Sequence, residues 1–251
     1  MQYTLKKSLG QHFLTDENVC KQIVEELNKH PLKQLLEVGP GGGALTKYLL
    51  KLPGIDLKAV ELDMEKVAYL QHTFPALSGK IISEDFLNIA PPFEGEFTVV
   101  GNFPYNISTQ ILFKVLDWKE QVPVVLGMFQ KEVAQRAASP HGSKVYGVLS
   151  VLVQAFYRVE YLFDVPPESF NPPPKVVSGV IRLIRRSDVP EMKSERAFFV
   201  LVKTAFNQRR KTMRNAVKSL FDEALLKDDF FQKRAEVISV EEFAALTFKM
   251  K

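Results

Sequence analysis

Cysteine is almost absent. Cys20 is the only one in 251 residues, so an intrachain disulfide and a cysteine-rich zinc site are both excluded. It falls among Val19, Ile23, Val24 and Leu27 at helical spacing, which predicts a buried structural thiol rather than a nucleophile. His12, His30, His72 and His141 are scattered and lack ligand spacing of the HExxH kind, so no metal is expected. No apolar run is long enough to span a membrane. The N-terminal "MQYTLKKSLGQHF" lacks the apolar core of a signal peptide. These absences predict a soluble, cytoplasmic protein without membrane attachment. Internal repeats and low-complexity tracts are missing too. Neither sign of charge dominates: 33 Lys and Arg stand against 29 Asp and Glu, a formal +4. That excess is compatible with a polyanionic partner without demanding one. What is present is apolar residues at 46% and charged residues at 25%, which predicts a packed core and excludes wholesale disorder. The length suits one large domain, or a main domain with a smaller one.

Along the chain, "TDENVCKQIVEELNKH" reads as a helix capped by Thr15 or Asp16. Strand and helix patterns then alternate. "QLLEV" leads through "GPGGG" into "ALTKYLLKL". "LKAVEL" precedes "MEKVAYLQHTF". "GKIISE" and "EFTVVG" are strands, "STQILFKVLD" a helix, "VPVVLGMF" a strand and "QKEVAQRAAS" a helix. The near-continuous apolar strands predict an α/β fold with a parallel sheet covered on both faces. "LSVLVQAFYRVEYLFDV" and "KVVSGVIRLIRR" then read as a long antiparallel pair at the sheet edge, joined through the stiff loop "PPESFNPPPK". Beyond "RRSDVPEMK" the strand signal stops. "SERAFFVLVKTAFNQRRKTMRNAVKSLF" and "SVEEFAALTF" predict amphipathic helices, the latter opened by a Ser239–Glu242 capping box. The expected boundary separates a Rossmann-like sheet domain over residues 1–188 from a small all-helical domain over 189–251.

"EVGPGGGA" lies between the first strand and a helix, where glycines let the backbone turn tightly and approach a ligand. Glu61 closes the second strand about 20 residues on, where an acid takes ribose hydroxyls. Asp85 lies just beyond the third strand, where a carboxylate can accept from an adenine amine. Taken singly, each is a loop glycine or a solvated strand end. With Gly39 and both acids at successive strand ends, the pattern predicts an adenosine compound as ligand. A nicotinamide dehydrogenase of the tyrosine–lysine type would need YxxxK after the sheet begins, and the only such spacing is Tyr3 to Lys7, ahead of it. An S-adenosylmethionine methyltransferase needs a substrate-side motif after the fourth strand.

"NFPY", residues 102–105, stands there. Asn102 offers a side-chain carbonyl. Pro104 offers a backbone carbonyl and no N–H. Two acceptors converging on one exocyclic amine hold an N–H₂ donor, and Tyr105 can stack on a planar base. A structural proline beside a buried tyrosine would be the bland alternative for this motif alone.

Taken with "KKSLGQHFL", "EVGPGGGALT", "VELD", "GNFPYNIS", "MFQKEVAQR", "GSKVYGVLSVLVQ", "FNPPPKVVS" and "AFNQRRKTMRN", the chain resembles the small-subunit ribosomal RNA adenine N6-dimethyltransferase family almost end to end. Family members commonly carry Asn where this chain has His12, and Leu where it has Gly42 and Phe103. The resemblance implies that His12 and Leu14 cover S-adenosylmethionine, that Gly39 lies beside its methionine end, and that Glu61 holds the ribose and Asp85 the adenine amine. It implies that Asn102 spans cofactor and substrate, that Asn102 and the Pro104 carbonyl hold the target N6 amine, and that Tyr105 and Phe170 stack on the target adenine. The implied substrate is a pair of adjacent adenosines in a hairpin loop near the 3′ end of small-subunit RNA, presented by an assembling subunit. A monomer is the default expectation for the enzyme itself.

Arg209, Arg210, Lys211, Arg214 and Lys218 form a basic run in the helical region. Arg210, Arg214 and Lys218 are spaced by four, which predicts that they share one helix face. Such a face is often merely solvated; here it suits RNA phosphates, which position rather than specify. Two rivals remain at this point: a large-subunit RNA adenine methyltransferase of the antibiotic-resistance type, and a ribosome-assembly factor whose binding outweighs its turnover.

Overall fold

The computed structural model describes residues 12–208 and 210–251. Its strands are β1 (Phe13–Leu14), β2 (Gln34–Val38), β3 (Asp56–Val60), β4 (Ile81–Ile82), β5 (Thr98–Asn102), β6 (Val124–Gln130), β7 (Tyr157–Val165), β8 (Phe170–Asn171) and β9 (Ser178–Arg185). Its helices are α1 (Glu17–Leu27), α2 (Thr46–Leu49), α3 (Met64–Thr73), α4 (Ser108–Asp117), α5 (Lys131–Ala138), α6 (Val148–Gln154), α7 (Glu195–Asn207), α8 (Met213–Ala216) and α9 (Val240–Leu246). The chain folds into two compact units. The first comprises residues 1–134 and 160–185, the second 135–159 and 186–251. The second unit thus joins 186–251 to 135–159, a stretch with no acidic residue that the expected division at 188 assigns to the sheet domain.

The main sheet has the order β4-β3-β2-β5-β6-β9-β7. From β4 to β6 every pairing is parallel, and β9 runs antiparallel to β6. Leu35, Leu36, Val38, Val99, Val100, Val125 and Leu126 of the central strands are buried. Covering both sheet faces is what makes such strands continuously apolar. The chain steps outward from β2 to β3 and β4, then returns to place β5 on the other side of β2. Strand order therefore reverses between β2 and β5, and ligands of open α/β sheets bind outside the carboxyl ends at such a point.

Local signals act as expected in several elements. Asp16 caps α1, its Oδ1 accepting from the Asn18 and Val19 amides. Cys20 is buried, and burial pushes its thiol up to about 11, which removes it as a nucleophile. Ser239 and Glu242 form the reciprocal capping box of α9. Among the described residues, no helix is long and apolar enough to cross a membrane, and no cluster of His, Cys, Asp and Glu is arranged to hold a metal ion.

Two readings are corrected. The expected strand "LSVLVQAFYRVEYLFDV" is helix α6 followed by β7. Leu149, Val151, Leu152 and Val153 are all buried, and a helix buried on every side has the same unbroken apolar pattern as a buried strand. The Gly147 amide, donating to Ser150 Oγ at 3.0 Å, opens that helix. The long helix expected across "NQRRKTMRN" is likewise broken. α7 stops at Asn207, Thr212 is extended and bridges Arg234, and the Met213 amide donates to the Lys233 carbonyl at 2.8 Å before α8 begins. Burial of Met213 fixes that re-entry.

Candidate active site

The carboxyl ends of β2, β3 and β5 open onto a cavity of about 420 Å³ in the first unit, within the size range of small-molecule sites. Gly39, Glu61, Asp85, His12, Leu14, Asn102, Pro104 and Tyr105 all line it. Six positions read from their chemistry, together with His12 and Leu14 that the resemblance supplied, are thus brought to one space.

The glycine turn is a tight cradle. Gly39 and Gly41 have φ of 67° and 56°, a region that costs other residues strain. A Cβ on Gly39 would sit 3.6 Å from Pro104 Cδ, so the cradle lies directly against the NFPY loop. Glu61 is 7% exposed. Its Oε2 accepts from the Gly41 amide at 3.2 Å and its Oε1 from the Asp63 amide at 3.0 Å. Each oxygen keeps a further lone pair, so the carboxylate is fixed in place and still able to accept hydroxyls. Asp85 is half-buried, with Oδ1 accepting from the Leu87 amide at 2.9 Å.

Asn102 ends β5. Its Nδ2 donates to the His12 carbonyl at 3.1 Å. That bond settles which end of the amide faces the strap, and it leaves Oδ1 as an acceptor. The Pro104 carbonyl accepts from the Ile107 amide at 3.2 Å and retains a second lone pair. The Tyr105 hydroxyl bonds Ser178 Oγ at 2.5 Å, and its ring lies 5.5 Å from that of His12, tilted by 31°. Burial raises the Tyr105 phenol above its ordinary value, so it is no base at neutral pH. His12 Nδ1 lies 2.9 Å from the Pro172 carbonyl, which ties strap, NFPY loop and proline-rich loop together at one residue.

Phe170 is placed elsewhere. It is 3% exposed, faces Leu14 in the β1–β8 ladder, and belongs to the apolar cluster under the site. The reason is its register: Leu14 opposite Phe170 turns both side chains toward the same buried layer. In this structure Phe170 anchors the strap rather than presenting a stacking face.

Several lining residues had no role read from the sequence: Phe13, Leu62 and Ile107, although they fall within "KKSLGQHFL", "VELD" and "GNFPYNIS", and Lys66 and Phe86. Glu37 was in plain view as the acid before the glycine turn. It is 1% exposed, accepts from Thr46 Oγ1 at 2.7 Å, and burial pushes its carboxyl up to about 7.

In the second unit, Arg210, Lys211, Arg214 and Lys218 are all exposed. Arg209 lies outside the described residues. The break after α7 puts Arg210 and Lys211 in a turn, Arg214 in α8 and Lys218 beyond it. They therefore share an exposed segment and not one helix face. By sequence this unit carries 17 Lys and Arg against 10 Asp and Glu, and the first unit 16 against 19. The mild net charge of the chain conceals a basic unit and a slightly acidic one.

Comparison with known proteins fits this geometry. A family model described as ribosomal RNA adenine dimethylase matches residues 2–246. Ribosomal RNA small subunit methyltransferase A of Cytophaga hutchinsonii is 52% identical over 96% of this chain and 95% of its own length. That of Flavobacterium johnsoniae is 52% identical over 98% and 95%. Two solved structures share the fold. A dimethyladenosine transferase from Plasmodium falciparum has a TM-score of 0.77, with 23% identity, over 92% of this chain and 94% of its own. The 23S rRNA methyltransferase ErmE has 0.74, with 22% identity, over 95% and 99%.

Sheet order, cradle and comparisons define the class: a Rossmann-like methyltransferase. Within that class, the chain belongs to the ribosomal RNA adenine dimethylase family.

Proposed function

We propose that this protein transfers methyl groups from S-adenosylmethionine to the N6 amines of two adjacent adenosines in the 3′-terminal hairpin loop of small-subunit (16S) ribosomal RNA. The product is N6,N6-dimethyladenosine, made on a pre-30S particle in the cytoplasm by a monomeric enzyme. The observation that carries this reading is the Asn102 amide. Held by the His12 carbonyl, it keeps its oxygen as an acceptor at the head of the NFPY loop, whose Pro104 packs against the Gly39 turn of a ribose-type cradle.

The residues present fit the methyl donor. Glu61 is placed for ribose hydroxyls and Asp85 for the adenine amine, with Gly39 and Gly41 leaving room for close backbone approach. When bound, S-adenosylmethionine supplies a methyl group on a positively charged sulfonium. The rest is work for side chains. An adenine N6 lone pair is delocalised into its ring and is a weak nucleophile. Asn102 Oδ1 and the Pro104 carbonyl, each accepting one N6 proton, favour a more tetrahedral nitrogen whose lone pair faces the donor. Tyr105 fixes the plane of the base by stacking. This is catalysis by positioning and oriented dipoles, and it needs no strong base. A loop adenosine is already partly unstacked, which lowers the cost of presenting it. The basic second unit, with Arg209, Arg210, Lys211, Arg214 and Lys218, supplies phosphate contacts.

Small-subunit RNA is favoured as substrate over large-subunit RNA because the curated relatives at 52% identity are small-subunit enzymes, whereas the likeness to ErmE is one of fold. The test is a methylation assay with undermethylated small subunits, large subunits and protein-free RNA, mapped by mass spectrometry. Dimethyladenosine at adjacent small-subunit positions is the expected result. Label confined to large-subunit RNA would overturn the substrate, and cofactor binding without any transfer would leave an assembly factor.

A further inference from the structure

Lys66 lines the cavity although it is 3% exposed. Lysine is seldom buried to this degree, and its ammonium needs favourable surroundings there. Its Nζ stands 4.7 Å from the centroid of the Phe13 ring, within the range of a cation–π contact. The same ring is bounded by the glycine cradle: a Cβ on Gly41 would meet Phe13 Cε1 at 3.0 Å and Cδ1 at 3.1 Å. Gly41 in turn donates to Glu61. Phe13 thus sits against the cradle where the ribose acid is anchored, with the Lys66 ammonium near its ring.

The strap that carries Phe13 is tied at its other end. Leu14 is buried opposite Phe170, and the Thr15 amide and hydroxyl both donate to the Ser169 carbonyl, at 2.8 and 3.0 Å. Leu14 is therefore part of the core and Thr15 is held by the facing loop's backbone, whereas Phe13 is half-buried and faces the cavity. On the cavity side the strap is held by His12, whose carbonyl accepts from Asn102, and by the Phe13 ring beside Lys66.

We propose that Lys66 is a positioning residue for the methyl donor: through the Phe13 ring it latches the strap over the ribose side of the cavity and sets how long donor and demethylated product remain bound. This rests on reading the cavity as the S-adenosylmethionine site. Dimethylation requires two donor molecules per adenosine, so the product must leave once between transfers. A cation–π contact of this kind is strong enough to favour closure and weak enough to open each cycle.

The test compares wild type with Lys66→Met, Lys66→Arg, Phe13→Leu and the Phe13→Leu/Lys66→Met double variant. Binding and dissociation of S-adenosylmethionine and S-adenosylhomocysteine are measured by calorimetry and stopped flow. Amide exchange at residues 13–15 is followed in the ligand-free protein. Lys66→Met should weaken both ligands about 3- to 10-fold, mostly through faster dissociation, as a cation–π contact of ordinary strength implies. Exchange in the strap should accelerate, KM for the donor should rise and kcat should not fall, while Lys66→Arg stays near wild type. The double variant should be no worse than the weaker single variant, because both remove the same latch. Unchanged dissociation and exchange in Lys66→Met would overturn the proposal, as would effects of the two single variants that simply multiply. Wild type failing to bind the donor at all would instead sink the site reading, and the latch with it.

Discussion

Replacing Gly127 by Ala should cripple the clamp without touching it. Gly101 of β5 and Gly127 of β6 are register partners, and the Phe103 ring lies across both. A Cβ on Gly127 would fall 2.0 Å from Phe103 Cε2, 2.6 Å from its Cδ2 and 2.8 Å from Phe129 Cε2. On Gly101 it would fall 3.0 Å from Phe103 Cε1 and 2.5 Å from the Val38 carbonyl. Neither ring can retreat: Phe103 is 1% and Phe129 0% exposed, with centroids 4.9 Å apart. Overpacking of this kind costs about 1–3 kcal/mol. Phe103 stands between Asn102 and Pro104, so a displaced ring moves the two acceptors that hold the amine. A shift of about 1 Å there is worth roughly a hundredfold in rate. Phe103→Leu alone should cost about 1–2 kcal/mol, as a cavity. In the double variant the alanine methyl enters the space the ring gave up, so stability and rate should both recover relative to Gly127→Ala, with a coupling of about 1–2 kcal/mol. Urea unfolding and single-turnover methyl transfer on the four proteins form the cycle. Additive costs with no recovery of rate would show that the ring–glycine fit does not position the clamp.

Three further outcomes follow from the same geometry. Burial holds the Glu37 carboxyl at about 7 against an ordinary 4.5, so its contribution to stability is full below the ordinary value and is lost as pH rises through about 7. Glu37→Gln should therefore gain on wild type by about 3 kcal/mol between acid and mildly alkaline pH; parallel stability curves in urea would refute this. Phe170→Ala should lose about 3–5 kcal/mol of stability, because it removes the anchor facing Leu14; a variant of undiminished stability but reduced turnover would return Phe170 to the stacking role. Charge reversal at Arg210 and Lys211 together should weaken binding to a small-subunit RNA hairpin and lower the salt dependence by about two counterions, with donor binding untouched; an unchanged slope in anisotropy titrations would place the phosphate contacts elsewhere.

The sheet was legible because its signals are local and agree with one another. Strands such as "QLLEV" and "VPVVLGMF" are near-continuously apolar, each leads into a helix, and a covered parallel sheet satisfies both. Asp16 and the Ser239–Glu242 box fixed helix starts for the same reason. Where the reading failed, the deciding term was tertiary. "LSVLVQ" has a strand's composition and forms α6, because complete burial erases the difference in period. "NQRRKTMRN" has helix-forming composition and breaks, because burying Met213 and pairing Thr212 with Arg234 outweigh one more helical turn.

The site divides in the same way. Gly39, Glu61, Asp85 and Asn102 could be read because each sits at a strand end, where topology alone delivers it to the cavity. Lys66 could not, since on α3 it resembles any other helical lysine until the strap folds across it. Phe170 shows the converse. A loop aromatic among prolines has the composition of a stacking face, but two-residue pairing with the strap determines which way it points, and that pairing links positions more than 150 residues apart. The strap and the proline-rich loop are therefore one structural element built from two distant segments. A change to either propagates to the other, because Phe13 and His12 over the cavity, besides their own contacts to Lys66, Asn102 and Pro172, continue directly from Leu14 and its partner Phe170 beneath it.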